Sequence, residues 1–350
     1  MDGTKSEYLI PCKELNEFTL RMFKKVGMGD FDSKCVADAL LDASIRGVDS
    51  HGVMKIRRYV ERYSSMEWGK PEVVMDMGAI ALYDGHNYSG FVTSTMAMQL
   101  AIEKAKQFGA GIVGVKNSGH FGMTGHYSMM APPEEMIGWA FSNAGPLIPP
   151  WGAAESLLGN NPWSYAVPSK GDFPIVLDIG NSIAAYGKVH LAAMAGKEIP
   201  SNWALDKDGN PTTDPNKVLE SKLFMPFGEY KGYGITVMMD ILSGVLTGSA
   251  FANDVTGIDG AVPGTGHMFG AIDIKRFRDL DGFYKDLSEL CHRIKSCKKQ
   301  PGVKEVYLPG EIEYNVSKER LANGIPLNVG VIKDINEGAA FLGEKPLMNV

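Results

Sequence analysis

Residues Gly109-Ala110-Gly111-Ile112-Val113-Gly114 spell GxGxxG, the spacing of a dinucleotide-binding turn, but their surroundings run in the wrong order. In a Rossmann unit the glycines follow a strand and open a helix, so that the pyrophosphate rests on the helix N-terminus. Here the preceding stretch, about Val92 to Gln107, has the apolar spacing of a helix, with Met96, Leu100 and Ala101 on one face. The stretch that follows, Ile112-Val113-Gly114-Val115, is a short β-branched run of the kind that forms a buried strand. Gly109 therefore reads as the residue that closes a helix. The pattern predicts an α/β fold whose cofactor region, if it has one, is not Rossmann.

That strand leads into the stretch from Asn117 to His126, where three glycines (Gly119, Gly122, Gly125) fall within seven residues. Such a stretch bends where bulkier residues clash. It also carries His120 and His126, and histidine exchanges protons near neutral pH. His120, in a glycine-loosened turn at a strand end, is placed to offer an acid/base group to a small molecule. The alternative is that it only satisfies local backbone groups. His126 reads as structural.

The N-terminal part, Pro11 to about Ser65, is helical in pattern: Leu15, Phe18, Met22 and Phe23 recur at three- and four-residue steps, as do Val36, Ala39, Leu40 and Ala43. Gly27 and Gly29 separate these two helices, with Asp32 or Ser33 as cap of the second. A third helix carries Lys55, Arg57, Arg58 and Arg62, and His51 stands at its mouth. Helix starts and cations both favour anions, so His51 and Lys55 are candidates to meet a carboxylate. Arg58 and Arg62 read as a solvated face.

Residues 66–90 are broken by Pro, Gly and Asp around a short strand, Ile80 to Tyr83, which marks a domain boundary. Ile137 to Ser142 reads as a strand, and residues 143–163 are too rich in Gly, Pro and Asn for a regular element. Loops of that length are usually functional. Strands Ser164 to Val167 and Ile175 to Leu177 follow, the latter ending at Asp178, then a helix carrying Tyr186. The acidic spacing of Trp203 to Pro215 lacks the closing Glu of a calcium loop. Lys231 opens an apolar helix, Ile235 to Leu246, where it can hold a phosphate or carboxylate or stand as an exposed cap. Residues 254–267 read as a mobile loop. Beyond it come a strand (Met268 to Ile272), a helix (Leu280 to Lys295), a strand from Val306 turning at Glu311, and a last helix near Asp334 to Leu342.

A net charge of −6 argues against nucleic acid or anionic membranes as partners. No apolar stretch approaches the ~20 residues of a membrane span, and Met1 to Glu7 does not resemble a signal peptide. The four cysteines, Cys12, Cys35, Cys291 and Cys297, show no CxxC spacing. A zinc site or disulfide framework is therefore not expected, and reduced thiols point to the cytoplasm.

Taken together the stretches resemble the type-2 malate/L-lactate dehydrogenase family, which includes ureidoglycolate and sulfolactate dehydrogenases and some imine and diketo-acid reductases. The matching segments run in family order: Arg46 to Gly52, Gly119 to Gly122, Gly159 to Pro162, Asp178 to Lys188, Trp203 to Pro215, Lys231 to Gly234 and Leu308 to Glu311. The resemblance implies a homodimer with a non-Rossmann cofactor domain of mixed sheet, here 75–284. Beside it stands a smaller helical domain, 1–74 completed by 285–350. It implies NAD or NADP as cofactor, His120 as acid/base, and dinucleotide contacts at Ala144, Asp178, Ile179, Gly180, Lys231, Gly310, Glu311 and Ile312. Lys55 departs from the pattern, because arginine is usual there and grips a carboxylate with two parallel hydrogen bonds, whereas lysine offers a point charge; Arg57 or Arg58 is the alternative carrier of that role. Asn160 and Asn181 stand where threonine is frequent.

Oxidising a 2-hydroxy acid requires a base, a cation for the carboxylate and a nicotinamide held close to the reacting carbon. His120 supplies the base, His51 and Lys55 are candidates for the substrate's carboxylate and carbonyl, and malate with oxaloacetate is the first substrate pair to consider by resemblance. Alternatives are reduction of another 2-oxo or cyclic imino acid on the same fold, a metal-dependent hydrolase using His51, His120 and His126, or a non-catalytic binding protein.

Overall fold

Apolar residues at helical spacing gather the two chain ends into one core. The computed structural model describes residues 7–65, 69–256 and 264–350. Strand β1 (Glu7–Ile10) precedes helices α1 (Cys12–Lys25), α2 (Asp30–Ile45) and α3 (Ile56–Ser64). Leu15, Phe18, Met22 and Phe23 of α1 are buried with Val36 and Leu40 of α2 and Ile56, Tyr59 and Val60 of α3. Ile325, Leu327, Ile332, Ile335 and Ala339 come from the other end of the chain and join the same cluster. Helix α2 begins three residues earlier than a cap at Asp32 implies. Gly29 is its cap residue, so Asp32 and Ser33 lie inside the helix, where Asp30 and Asp32 place acidic charge on the first turn.

The central element is a mixed sheet of seven strands. Strands β2 (Glu72–Met77) and β3 (Ile80–Asp84) form a hairpin, and α4 (Gly90–Phe108) crosses from β3 to the parallel β4 (Ala110–Ser118). Gly109 ends α4 with φ +89°. A Cβ on Gly111 would come 2.0 Å from the Ala101 carbonyl oxygen, so this glycine lets the helix lie close on the strand. The false motif is thus a helix stop and a packing contact.

The chain continues through α5 (Thr124–Ser128), β5 (Met136–Ser142) and a paired β6 (Pro146–Ile148) and β7 (Leu158–Gly159) within the expected irregular stretch. Next come β8 (Trp163–Val167), β9 (Ile175–Ile179), α6 (Tyr186–Met194), β10 (Ala204–Leu205), α7 (Pro215–Ser221), β11 (Leu223–Phe224) and α8 (Tyr230–Asp240), which passes into one π-helical stretch, Ile241–Val245. Strand β12 (Thr265–Asp273) then inserts between β4 and β5, giving the order β2-β3-β4-β12-β5-β8-β9. Thr265 to His267, expected in a loop, belong to this strand, and the rest of that expectation at 257–263 lies outside the described residues. Helices α9 (Leu280–Ser296) and α10 (Glu311–Asn323), strand β13 (Ile325–Asn328) and α11 (Val329–Phe341) complete the chain. No strand forms at Val306 to Leu308, because the Leu308 N–H is taken by the Glu311 carboxylate at 2.8 Å instead of by a neighbouring strand. On the sheet, Val113, Val115, Ala140, Phe269 and Ala271 pack against Ala97, Met98, Ala101 and Ala105 of α4.

Candidate functional site

The turn after β4, the end of β5, the end of β9 and the segment opening α10 meet around a cavity of about 610 Å³. That volume lies within the ~300–1,000 Å³ of ligand pockets, and it is lined by both the helical segment (Arg46, Val48, His51) and the sheet. His51 stands on a short 3₁₀ turn, Asp49–His51, which α10 anchors through Arg320 Nη2 to Asp49 at 3.0 Å. His51 and His120 stack, with ring centroids 5.6 Å apart and planes at 15°.

Nδ1 of His120 lies 2.5 Å from the Tyr59 hydroxyl, and the Gly122 N–H points at it from 3.3 Å. Burial, then the positive charge that His51, His267, Arg58 and Lys55 place near it, holds His120 well below the usual histidine range. His51 is brought down to about 4, first by burial and then by Lys55. Both rings are therefore neutral at pH 7. Tyr59, wholly buried on α3, is pushed well above the usual tyrosine range by burial and keeps its proton.

Asp178, at the end of β9, accepts the Gly125 N–H at 2.8 Å. Burial pushes its carboxyl up to about 7; the Gly125 N–H and Arg46 oppose this, and Glu313 and Asp42 add to it. Between the unfolded value of about 4 and about 7, the folded chain holds a proton that the unfolded chain has released. Stability from this group therefore falls as pH rises through that window. Asp178→Asn keeps an acceptor for Gly125 and has no charge to bury. Relative to that variant the parent is expected to lose roughly 1–3 kcal/mol between about pH 4 and 7, in urea unfolding at a series of pH values. A difference that stays flat across the window would show the carboxylate to be solvated by cavity water.

Among the residues expected from sequence, His51, His120, Ala144, Asp178, Ile179, Gly180, Gly310 and Ile312 all line the cavity. Three do not. Glu311 pairs with Lys295 at 2.6 Å and accepts the Leu308 N–H, so it braces the turn that presents Gly310 and Ile312. Lys231 lines a separate depression with Trp151, Ile183 and Tyr230. Lys55 is not a lining residue; it stands on the 3₁₀ turn Val53–Lys55, and its charge acts on both histidines. Arg57 is committed elsewhere, to Glu61 at 2.7 Å, Asp334 at 3.1 Å and Glu337. His126 is bound to Asp42 at 2.9 Å, as its structural reading expects. Among the described residues no three His, Cys, Asp or Glu side chains group as metal ligands, so the three histidines of the hydrolase alternative do not converge.

Sequence reasoning gave Tyr59, on the third helix, no role; its only signal is its place one helical turn beyond Lys55. It also missed Arg46 and Glu313 as wall residues.

Gly122, Gly125, Gly145, Gly180 and Gly310 all face the cavity, where backbone can come close to a ligand. A Cβ on Gly180 would fall 2.2 Å from the side-chain amide nitrogen of Asn160, so a larger residue there must displace that side chain.

The family model described as malate/L-lactate dehydrogenase matches residues 10–336. A malate dehydrogenase of Pyrococcus abyssi is 37% identical over 348 residues, covering 97% of this chain and 96% of that protein. A (2R)-3-sulfolactate dehydrogenase (NADP(+)) of Chromohalobacter salexigens is 32% identical over 89% of this chain and 92% of its own length. The crystal structure of malate dehydrogenase from Entamoeba histolytica superposes with a TM-score of 0.91 at 30% identity, covering 96% of this chain and 98% of that one. Together these matches define an oxidoreductase that acts on a 2-hydroxy acid. The chain belongs to the malate/L-lactate dehydrogenase family.

Proposed function

We propose that the protein interconverts malate and oxaloacetate, or a closely related small 2-hydroxy and 2-oxo acid pair, with NAD or NADP bound along the glycine-lined wall. It is a dehydrogenase acting on a 2-hydroxy acid. The observation that carries the reading is the neutral His120, beside His51 in the cavity and within reach of the charges of Lys55 and Arg58. Bound nicotinamide supplies or accepts the hydride. Ala144, Asp178, Ile179, Gly180, Gly310 and Ile312 hold the dinucleotide.

Nε2 of His120 takes the proton of the alcohol in the tautomer whose Nδ1 carries the ring proton and donates it to the Tyr59 oxygen at 2.5 Å, which gives up the long 3.3 Å contact from the Gly122 N–H. The phenol, which keeps its own proton, holds the ring in place without adding charge. The depressed basicity of His120 keeps it ready as a base at pH 7. In the reductive direction it must first be protonated, and the negative charge of a bound acid favours that.

Lys55 and Arg58 are the cations whose charge reaches His120, and Lys55 reaches His51 as well. Lys55→Ala is expected to raise the KM for the 2-oxo acid roughly ten- to a hundred-fold, the loss of one charge-assisted contact, while NADH affinity stays at the parent value. Lys55→Arg restores much of it if the planar fork fits. Arg57→Ala leaves that KM unchanged, because its guanidinium is held by acids of α3 and α11. Steady-state kinetics on the three variants settle this, and a silent Lys55→Ala would remove the residue from substrate binding.

A panel of 2-oxo acids and one cyclic imino acid, assayed with NADH and NADPH, tests the function as a whole. Oxaloacetate as the best substrate supports the reading. Reduction of none of them with either cofactor would sink it.

The helical unit, 1–74 with 285–350, and the sheet unit, 75–284, are read as two domains, because each has its own buried cluster, although β2 and α9 run across these bounds. The assembly is read as a homodimer. Met238, Ile241, Val245 and Leu246 are 49%, 40%, 53% and 64% exposed along α8 and its continuation, and contiguous exposed apolar surface of this kind marks an interface. Sedimentation at the mass of one chain would overturn the dimer.

A further inference from the structure

The turn that presents His120 is held from beneath by a second histidine. β12 runs between β4 and β5, with His267 opposite Ser142 in the ladder. His267 is 0% exposed. Its Nε2 lies 3.2 Å from the carbonyl oxygen of Gly119, and its Nδ1 lies 2.9 Å from the Ser142 hydroxyl. A carbonyl only accepts, so Nε2 carries the proton. Burial brings the ring down to about 3, which makes it neutral and leaves Nδ1 bare. That nitrogen needs a donor, and the Ser142 hydroxyl is the group beside it, although the Asn143 carbonyl at 2.8 Å competes for the same proton.

The ring also stacks on Phe121, with centroids 4.5 Å apart and planes at 21°. His267 therefore grips both neighbours of His120: Gly119 by a hydrogen bond and Phe121 by its face. Ser142 belongs to the cavity wall. One chain of contacts thus runs from the wall through Ser142 and His267 to the backbone that carries His120. Filling a buried position calls for no polar ring, since a polar group costs desolvation unless its bonds are met. Two directional bonds at this place require one.

We propose that His267 is a positioning residue, which fixes the Gly119–Phe121 backbone so that the His120 ring meets the substrate oxygen. This rests on the reading of His120 as the acid/base. Two variants of the full chain separate the bonds from the packing. His267→Phe keeps a flat ring for Phe121 and loses both hydrogen bonds. His267→Gln keeps an amide donor for the Gly119 carbonyl.

The readouts are turnover, KM for the acid, NADH affinity by nicotinamide fluorescence, melting temperature, and amide hydrogen exchange of the 119–123 segment. His267→Phe is expected to exchange that segment roughly five- to ten-fold faster and to lose about 10–100-fold in turnover. Its KM and NADH affinity stay within about three-fold of the parent, a spread that amounts to well under 1 kcal/mol. His267→Gln recovers most of both losses. Ser142→Ala, which leaves Nδ1 without its donor, takes the place of His267→Phe if that chain does not fold, and is expected to show the same pattern in weaker form.

A folded His267→Phe with parental exchange and turnover overturns the proposal. Equal damage in the Phe and Gln variants also overturns it, because the position would then matter only for packing. If the parent reduces no 2-oxo acid, the dehydrogenase reading fails, and the exchange measurements still judge His267 on their own.

Discussion

His120→Ala is expected to lower turnover by ~10²–10⁴-fold, the usual cost of losing a general acid/base. The ring lies at the cavity with one nitrogen on Tyr59 and the other available to substrate. On the proposed reading dinucleotide binding does not depend on it, because Ala144, Asp178 to Gly180 and Gly310, the residues proposed to hold the dinucleotide, form other parts of the wall. NADH titrated by fluorescence should therefore bind the variant within about three-fold of the parent, below 1 kcal/mol. Single-turnover rates and the steady-state kcat should fall together, since the lost step is chemical. A turnover within about a factor of three of the parent would pass the role to His51. That ring stacks on His120 at 5.6 Å and is itself held to about 4.

Gly90→Ala comes next in size. Gly90 starts α4, and a Cβ there would lie 2.1 Å from the Gly119 carbonyl oxygen and 2.6 Å from that of His120. Both atoms are backbone, so no side chain can swing aside. Either the helix start or the turn must move, and a displacement of about 1 Å at a reacting group costs on the order of 10²-fold in rate. Overpacking of this kind costs roughly 1–3 kcal/mol of stability as well. The expected result is a folded, NADH-binding enzyme with turnover down about a hundred-fold and a lower urea midpoint. Gly187→Ala is the control, because a Cβ at that position meets nothing within 4 Å. If Gly90→Ala turned over at the parental rate, the helix start would be yielding, and the placement of the turn would not be set by it.

Much of the fold was legible because helix and strand periodicity are local. The reversed order around Gly109 to Gly114 ruled out a Rossmann unit, and α4 and β4 do run helix-then-strand. The glycine turn put His120 at a strand end, the helix start suggested His51, and the resemblance to a family marked seven residues, His120 among them, that the structure gathers with His51 at one cavity. Misreadings came where a side chain or a distant segment supplies the partner. Glu311 satisfies the Leu308 backbone where a strand was expected. Gly29, with no side chain, caps α2 in place of Asp32.

By itself, then, the sequence determined which segments are helix or strand, where the chain turns, and which side chains can carry acid/base chemistry, since these depend on neighbours within about one or two turns of chain. The tertiary structure alone decided who meets whom. β12 arrives 147 residues after Ser118 of β4, in the pairing of Thr265 with that serine, and brings His267 beneath Gly119. β1 exists as a strand because β13, from the far end of the chain, supplies its hydrogen bonds. Tyr59 meets His120 across 61 residues, while Lys231 and Glu311 fall outside the cavity despite their sequence context. Such neighbours are chosen by the burial and backbone pairing of the whole chain, which no local pattern encodes.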